Sequence, residues 1–276
     1  MSSGFTAGGD QRLSAAAVRA ALAGPGSFWD EIDVVAETGS TNADMLEAAR
    51  RGAPEGTVLV AEAQTAGRGR LGRSWVTSPG AALTCSVLLR PAAVSPARRG
   101  WVPLLAGVAV ASAVRAVAGV DARLKWPNDV LAGGGKLAGI LAEQAGGAIV
   151  VGIGINVGAS EAELPATGAT SLALQQASSA DRGQLLAGLL RQLEKWYLRW
   201  SADETGDPVA SGLRREYLRL SATVGRNVRV TLPGGRMLAG TATDVDETGR
   251  LVLTVPGKAE AGQIAVVSAG EVLHVR

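Results

Sequence analysis

The 276-residue chain is poor in the residues that do most metal and nucleophile chemistry: it has one histidine, one cysteine and only 4% aromatic residues. The histidine, His274, lies near the C-terminus, which excludes histidine-based triads and sites built from several imidazoles. Cys85 has no partner for an intrachain disulfide. Its setting in Ala-Leu-Thr-Cys-Ser-Val-Leu-Leu favours a small buried hydrophobe over a nucleophile. Any metal should therefore be a hard cation with oxygen ligands, as Mg²⁺ is. The N-terminus lacks the apolar core of a secretory leader, since Asp10 and Arg12 interrupt it. The longest apolar stretch, Trp101–Val120, contains Pro103 and is broken by Arg115. Membrane spans need about 20 predominantly apolar residues, so a buried core helix and a cytoplasmic protein are expected.

What is present points to a folded protein that binds an anion. Hydrophobic residues make up 47% and charged residues 19%, ample for a core. Formal net charge is only +2, yet between Glu62 and Asp121 there are seven arginines and no acidic residue. Three of them alternate with glycine in Gln64-Thr-Ala-Gly67-Arg68-Gly69-Arg70-Leu-Gly72-Arg73-Ser-Trp75. Glycine lets such a loop bend closely around a ligand, and guanidinium forks suit carboxylate or phosphate. Gly67-x-Gly69-x-x-Gly72 formally matches a dinucleotide fingerprint. No apolar helix follows it, and no acidic residue stands where a ribose would need one. One Arg/Gly copy between two strands also differs from the repeated tracts of RNA-binding tails.

Lysine is scarce, with four residues against 23 arginines, and two of the four fall in Lys125-Trp-Pro-Asn128-Asp129 and Gly135-Lys136-Leu-Ala-Gly139. Lys125 alone could be a solvated strand residue, and Asn128-Asp129 alone a turn. Asn156, a polar residue in the apolar run Gly152-Ile-Gly-Ile-Asn156, needs a partner if buried.

Patterning predicts helices over 13–23, 42–51, 101–118, 182–200 and 208–219. Strands are predicted over 32–36, 57–63, 82–89, 123–126, 130–132, 137–143 and 149–157. Five short β-rich runs after Gly225 suggest a small barrel or sandwich. The expected fold is α/β (α+β): a disordered N-terminus over 1–11, a domain over 12–222 with a mixed sheet packed by helices, and a β-barrel over 223–276.

Taken in order, Ser40-Thr41-Asn42, the arginine loop through Trp75, Lys125-Trp-Pro-Asn-Asp129, Gly135-Lys-Leu-Ala-Gly-Ile-Leu141 and Gly152-Ile-Gly-Ile-Asn156 closely resemble the biotin–protein ligases. The resemblance is dense over residues 37–157 and looser through the C-terminal barrel. It implies a class II synthetase-like catalytic domain, an SH3-like barrel, and formation of biotinyl-5′-adenylate from biotin and ATP with Mg²⁺. The acceptor would be a lysine of the biotin carboxyl carrier domain of an acyl-CoA carboxylase or similar enzyme. Ser40, Thr41, Asn42, Gln64, Gly67, Arg68, Gly69, Arg70, Lys136 and Gly139 would form the biotin site. Arg70, Arg73, Trp75, Asn128, Asp129, Lys136 and Asn156 would form the ATP site. Lys136 and Arg70 would be catalytic, Asp129 would contact Mg²⁺, Trp75 would pack against adenine and Asn156 would lie on the adenine side. Only some 36 residues precede the first block, so no DNA-binding domain, no repressor function and no membrane partner are expected, and the protein should be a monomer or weak homodimer. Two alternatives stay open: a lipoate ligase with the same acyl-adenylate chemistry, and a nucleic-acid-binding protein. Against the second stand the six basic and five acidic residues of 225–276, an even balance.

Overall fold

The computed structural model describes residues 12–24, 27–29, 31–75, 78–164, 168–202, 204–256 and 263–275. The expected disorder of 1–11 lies outside them. The elements run α1 (Ala15–Leu22), β1 (Ile32–Thr38), α2 (Thr41–Arg50), β2 (Val58–Gln64), β3 (Ala82–Leu89), α3 (Val102–Ala118), β4 (Arg123–Lys125), β5 (Asp129–Ala132), β6 (Gly135–Ala145), β7 (Ala148–Asn156), α4 (Arg182–Ser201) and α5 (Leu213–Leu220). A second group follows: β8 (Asn227–Thr231), β9 (Met237–Val245), β10 (Leu251–Val255), β11 (Gln263–Val267) and β12 (Glu271–His274).

The first seven strands form one mixed sheet in the order β1-β2-β3-β7-β6-β5-β4. Only β1 and β2 pair in parallel. Strand alternation gives this sheet two unlike faces. Leu83, Cys85, Val87 and Leu89 of β3 and Ile149, Val151, Ile153 and Ile155 of β7 enter the main core with the apolar residues of α3 and α4. On the other face, Leu88 and Val150 pack against Met45, Leu46 and Ala49 of α2. Further along that face stand Thr84, Ser86, Gly152 and Gly154. The long apolar stretch is thus a core helix: every residue of Leu104–Ala111 is buried. A left-handed Gly119 (φ 68°) ends it.

The helix expected over 208–219 begins only at Leu213. Asp207 accepts the N–H groups of Val209 and Ala210, and left-handed Gly212 (φ 74°) separates that turn from α5. All five β runs of the C-terminal segment are strands, in the antiparallel order β11-β10-β9-β8-β12 around Val228, Val230, Leu251 and Leu253. Two buried tryptophans fasten this sheet to the first domain. Trp101 Nε1 donates to the Asp246 carbonyl (3.1 Å) and Trp126 Nε1 to the Gly249 carbonyl (3.0 Å). Glycine is required at that junction: a Cβ on Gly100 would meet the Thr248 oxygen at 2.4 Å.

Candidate active site

A cavity of about 130 Å³ opens on the polar face of the large sheet, between the N-terminus of α2, the arginine loop, the 125–129 segment and the start of β12. The loop also walls a wider cleft of about 750 Å³ that reaches the turn at Thr248-Gly249-Arg250.

One end of the cavity is neutral. Ser40 caps α2, its Oγ accepting from Ala43 N. The Thr41 backbone N donates to Gln64 Oε1 (2.8 Å), and the Thr41 hydroxyl oxygen lies 3.1 Å from the same atom. Asn42 reaches across to β6. The floor is glycine by steric necessity: a Cβ on Gly152 would stand 2.2 Å from Asn42 Oδ1, and one on Gly154 would stand 2.3 Å from Trp75 Cε2. Gly139, paired with Gly154 across β6 and β7, also lies under the indole.

The other end is cationic. Five basic residues of the lining (Arg68, Arg70, Arg73, Lys125, Lys136) face two carboxylates, Asp129 and Glu271. Lys136 Nζ is 2.7 Å from Asp129 Oδ1 and lies over the Trp75 ring, 5.9 Å from its centroid. Its backbone is pinned on both sides, N donating to Gly168 O and O accepting from Thr170 N. Arg70 donates to Asn128 Oδ1 at 2.9 Å, and Asn128 Nδ2 donates to Ile140 O at 3.1 Å. A side chain with both donor and acceptor is what this bridge requires. Burial pushes the Arg70 guanidinium down from its ordinary value, Asp129 opposes that shift and Arg73 reinforces it. Arginine nonetheless keeps its charge throughout the working pH range. Arg73 pairs with Glu271 of the C-terminal sheet (2.6 Å), so the second domain shares in the site. The loop itself is a narrow ribbon. Gly69 N donates to Arg73 O and Trp75 N to Gly67 O, with Leu71 left-handed at its exposed tip.

Most residues expected from the sequence line the cavity: Ser40, Thr41, Asn42, Gln64, Arg68, Gly69, Arg70, Arg73, Trp75, Asn128, Asp129, Lys136 and Gly139. Two do not. Gly67 is buried beneath the loop, where a Cβ would strike Trp75 O at 2.3 Å and Gln64 Nε2 at 2.6 Å, so its part is packing. Asn156 was expected toward adenine, but it is buried outside the cavity and its Nδ2 donates to Thr170 O at 2.9 Å. Its partner belongs to the 168–170 segment that also pins Lys136. Trp75 rests on the glycine floor with a buried Nε1 that has no hydrogen-bond partner.

Sequence reasoning missed Ser86, Glu143 and Glu271. For Ser86 a signal existed: Thr84 and Ser86 are polar at period two inside an apolar strand, which marks a face turned toward something polar. Cys85, on the opposite face, is fully buried and its thiol is pushed up to about 12 by burial, as befits an inert side chain.

A mixed sheet with one apolar and one glycine-floored polar face, joined to a small β domain that reaches into the same cavity, defines the class. Residues 35–160 match the biotin/lipoate A/B protein ligase family, and residues 223–275 match the biotin protein ligase C-terminal domain. The chain is 45% identical over 268 residues to the biotin–[acetyl-CoA-carboxylase] ligase of Mycobacterium tuberculosis, covering 96% of each. It is 34% identical to the bifunctional ligase/repressor BirA of Bacillus spizizenii over 80% of this chain and 67% of that one. The solved biotin protein ligase of Aquifex aeolicus in complex with biotin and ATP superposes with a TM-score of 0.72 at 28% identity, over 90% of this chain and 99% of that one. The chain belongs to the biotin protein ligase family and is a ligase.

Proposed function

We propose that the protein condenses biotin with ATP to biotinyl-5′-adenylate and then passes the biotinyl group to one lysine of a biotin carboxyl carrier domain. The observation that carries this reading is the polarity of the cavity: a neutral, hydroxyl- and amide-lined end faces a cationic end. Biotin has that polarity too, with a ureido ring at one end and a carboxylate at the other.

In the first step a biotin carboxylate oxygen attacks the α-phosphorus and pyrophosphate leaves. Two anions must approach, so the site has to offset their repulsion. Lys136 would pair first with the carboxylate and then with charge developing at the α-phosphate, exchanging Asp129 for substrate. Arg70 would stabilise the same transition state, held in place by Asn128, and Arg73 would contact phosphate. Mg²⁺ would enter with the nucleotide. Among the described residues no three His, Cys, Asp or Glu side chains cluster, so phosphate oxygens and water would supply most ligands and Asp129 one, a set that suits this cation. In the second step the acceptor amine attacks the acyl carbon and AMP leaves, with Asp129 or solvent taking the amine proton. Pockets that enclose ligands of this size are usually about 300–1,000 Å³, so substrates must displace the loop or the Trp75 indole from the inner cavity. Closing the loop again would shield the mixed anhydride from water.

The test is pyrophosphate release by the purified protein from Mg-ATP with biotin, with lipoate and with no acid, followed by mass spectrometry of an added carrier domain. Release with biotin alone and a single biotinylated lysine are expected. Release with lipoate but not biotin would overturn the reading. We also propose that the chain acts without repressor function, a reading supported by the near-complete span it shares with the M. tuberculosis ligase. Sequence-specific operator binding in a gel shift would contradict it.

A further inference from the structure

Behind the neutral end of the cavity runs a line of polar contacts that adenylate chemistry does not use. Asn42 is its pivot. Asn42 Nδ2 donates to Glu143 Oε2 (2.8 Å) and to Leu141 O (3.2 Å), so both amide hydrogens are taken and the amide is fixed. Its Oδ1 is thereby turned to Ser86 Oγ, 2.7 Å away. Ser86 Oγ is also 2.8 Å from Thr41 Oγ1, which is 3.1 Å from Gln64 Oε1. The Thr41 backbone N–H fixes the Gln64 amide in turn, since it requires the oxygen to face it.

The four oxygens make three contacts: Asn42 Oδ1 to Ser86, Ser86 to Thr41, and Thr41 to Gln64 Oε1. The two amide oxygens can only accept, so the hydroxyls of Ser86 and Thr41 must supply every hydrogen, and each has one. The line is one hydrogen short. Ser86 is fully buried and cannot turn to solvent. When its hydrogen serves the shortest contact, to Asn42, the Thr41 hydrogen serves the next. The longest contact, between Thr41 and Gln64, is then left without one. Thr41 and Gln64 line the cavity, whereas Ser86 and Glu143 do not.

We propose that Glu143 and Ser86 are specificity-determining positioning residues. By locking Asn42 they leave the cavity wall with an unmatched acceptor at Thr41 and Gln64, which selects a head group that donates an N–H, as a ureido ring does, over one that cannot, as a dithiolane. The proposal deepens the function proposed above and rests on it. Ser86→Ala frees the Thr41 hydrogen for Gln64 and moves the missing hydrogen to Asn42 Oδ1, off the Thr41–Gln64 contact. Glu143→Ala unlocks the Asn42 amide. Glu143→Gln keeps an acceptor oxygen in place and should preserve the lock.

The experiment compares kcat/KM for biotin, desthiobiotin and a biotin analogue methylated at its ureido nitrogens, for wild type and the three variants, with ATP KM and Tm recorded alongside. Ser86→Ala and Glu143→Ala should each narrow the preference for biotin over the methylated analogue by about tenfold, the size of one lost hydrogen bond. The biotin/desthiobiotin ratio and ATP KM should stay as in wild type, and Glu143→Gln should behave as wild type. An unchanged methyl discrimination in both alanine variants overturns the proposal, and so does a Glu143→Gln variant as impaired as Glu143→Ala. If wild type itself releases no pyrophosphate with biotin, the functional reading fails, an outcome distinct from a wild type that reacts while its variants keep full discrimination.

Discussion

Odd and even residues of the central strand Ala148–Asn156 belong to two different kinds of protein. Ile149, Val151, Ile153 and Ile155 sit among the helices in a dry core, while Gly152 and Gly154 hold their strand back so that Asn42 and Trp75 can approach it. One run of residues therefore does two jobs, separated by the pleat. The odd face is built of side-chain volume and should govern stability. The even face is apolar at Val150, under α2, but at Gly152 and Gly154 it is built of the absence of side chains and should govern what binds.

The widest separation is expected from the odd face. Ile153→Ala removes three carbons from a packed core and leaves a cavity, at a cost of about 2–5 kcal/mol of stability. Chemical denaturation should register that loss, while KM for biotin and ATP in the surviving folded enzyme stays near wild type. A large KM change with little loss of stability would mean that the two faces are not separable as drawn.

Lys136→Ala should do the reverse. Removing the cation that pairs with developing charge should lower kcat for pyrophosphate release by an amount comparable to a lost oxyanion-hole donor, about 2.7–4 kcal/mol of transition-state stabilisation. The unfolding transition should barely move, since Lys136 is half-exposed and its ion pair with Asp129 lies near the surface. A variant that still releases pyrophosphate at the wild-type rate would remove Lys136 from the reaction.

The contrast between the faces also explains what could be read in advance. The odd face was legible because alternation and buried-helix length are written in composition: β3, β7 and α3 fall within a residue of their expected ends. Lys136, Arg70 and Asn128 were legible because rare or alternating residue types stood out. For Asn156 the sequence says only that a polar residue in an apolar run needs a partner; the structure supplies one for its Nδ2, the Thr170 carbonyl. Ser86, Glu143 and Glu271 contact residues distant in sequence, across β6, α2 and the second domain. No local pattern encodes such pairings.

Gly154→Ala sharpens the comparison from the even side. Its new methyl would stand 2.3 Å from Trp75 Cε2, so the indole must leave its resting place. A displacement of about 1 Å at a reacting site can cost about a hundredfold in rate. Pyrophosphate release should fall by that order, accompanied by a change in tryptophan fluorescence, while the denaturation midpoint shifts far less than for Ile153→Ala. Wild-type turnover in this variant would mean that Trp75 has already left the floor in the working enzyme.

The smallest expected effect lies at the junction between the two domains and depends on pH. His274 Nε2 is 3.1 Å from Thr223 Oγ1, which also accepts from Trp126 N. Burial, then Lys125 and Arg226, hold its pKa below the ordinary value. As pH falls, the unfolded chain takes up the proton first, near its reference value of about 6.5. The associated stability is thus fully present above about pH 6.5 and is lost as pH falls through the lower folded value. Between about pH 7.5 and about pH 5.5, a range in which histidine titrates, wild type should lose more Tm than His274→Gln, which has no proton to gain. Parallel losses in the two proteins would place the acid sensitivity elsewhere, and the two-tryptophan junction would then hold independently of the charge on β12.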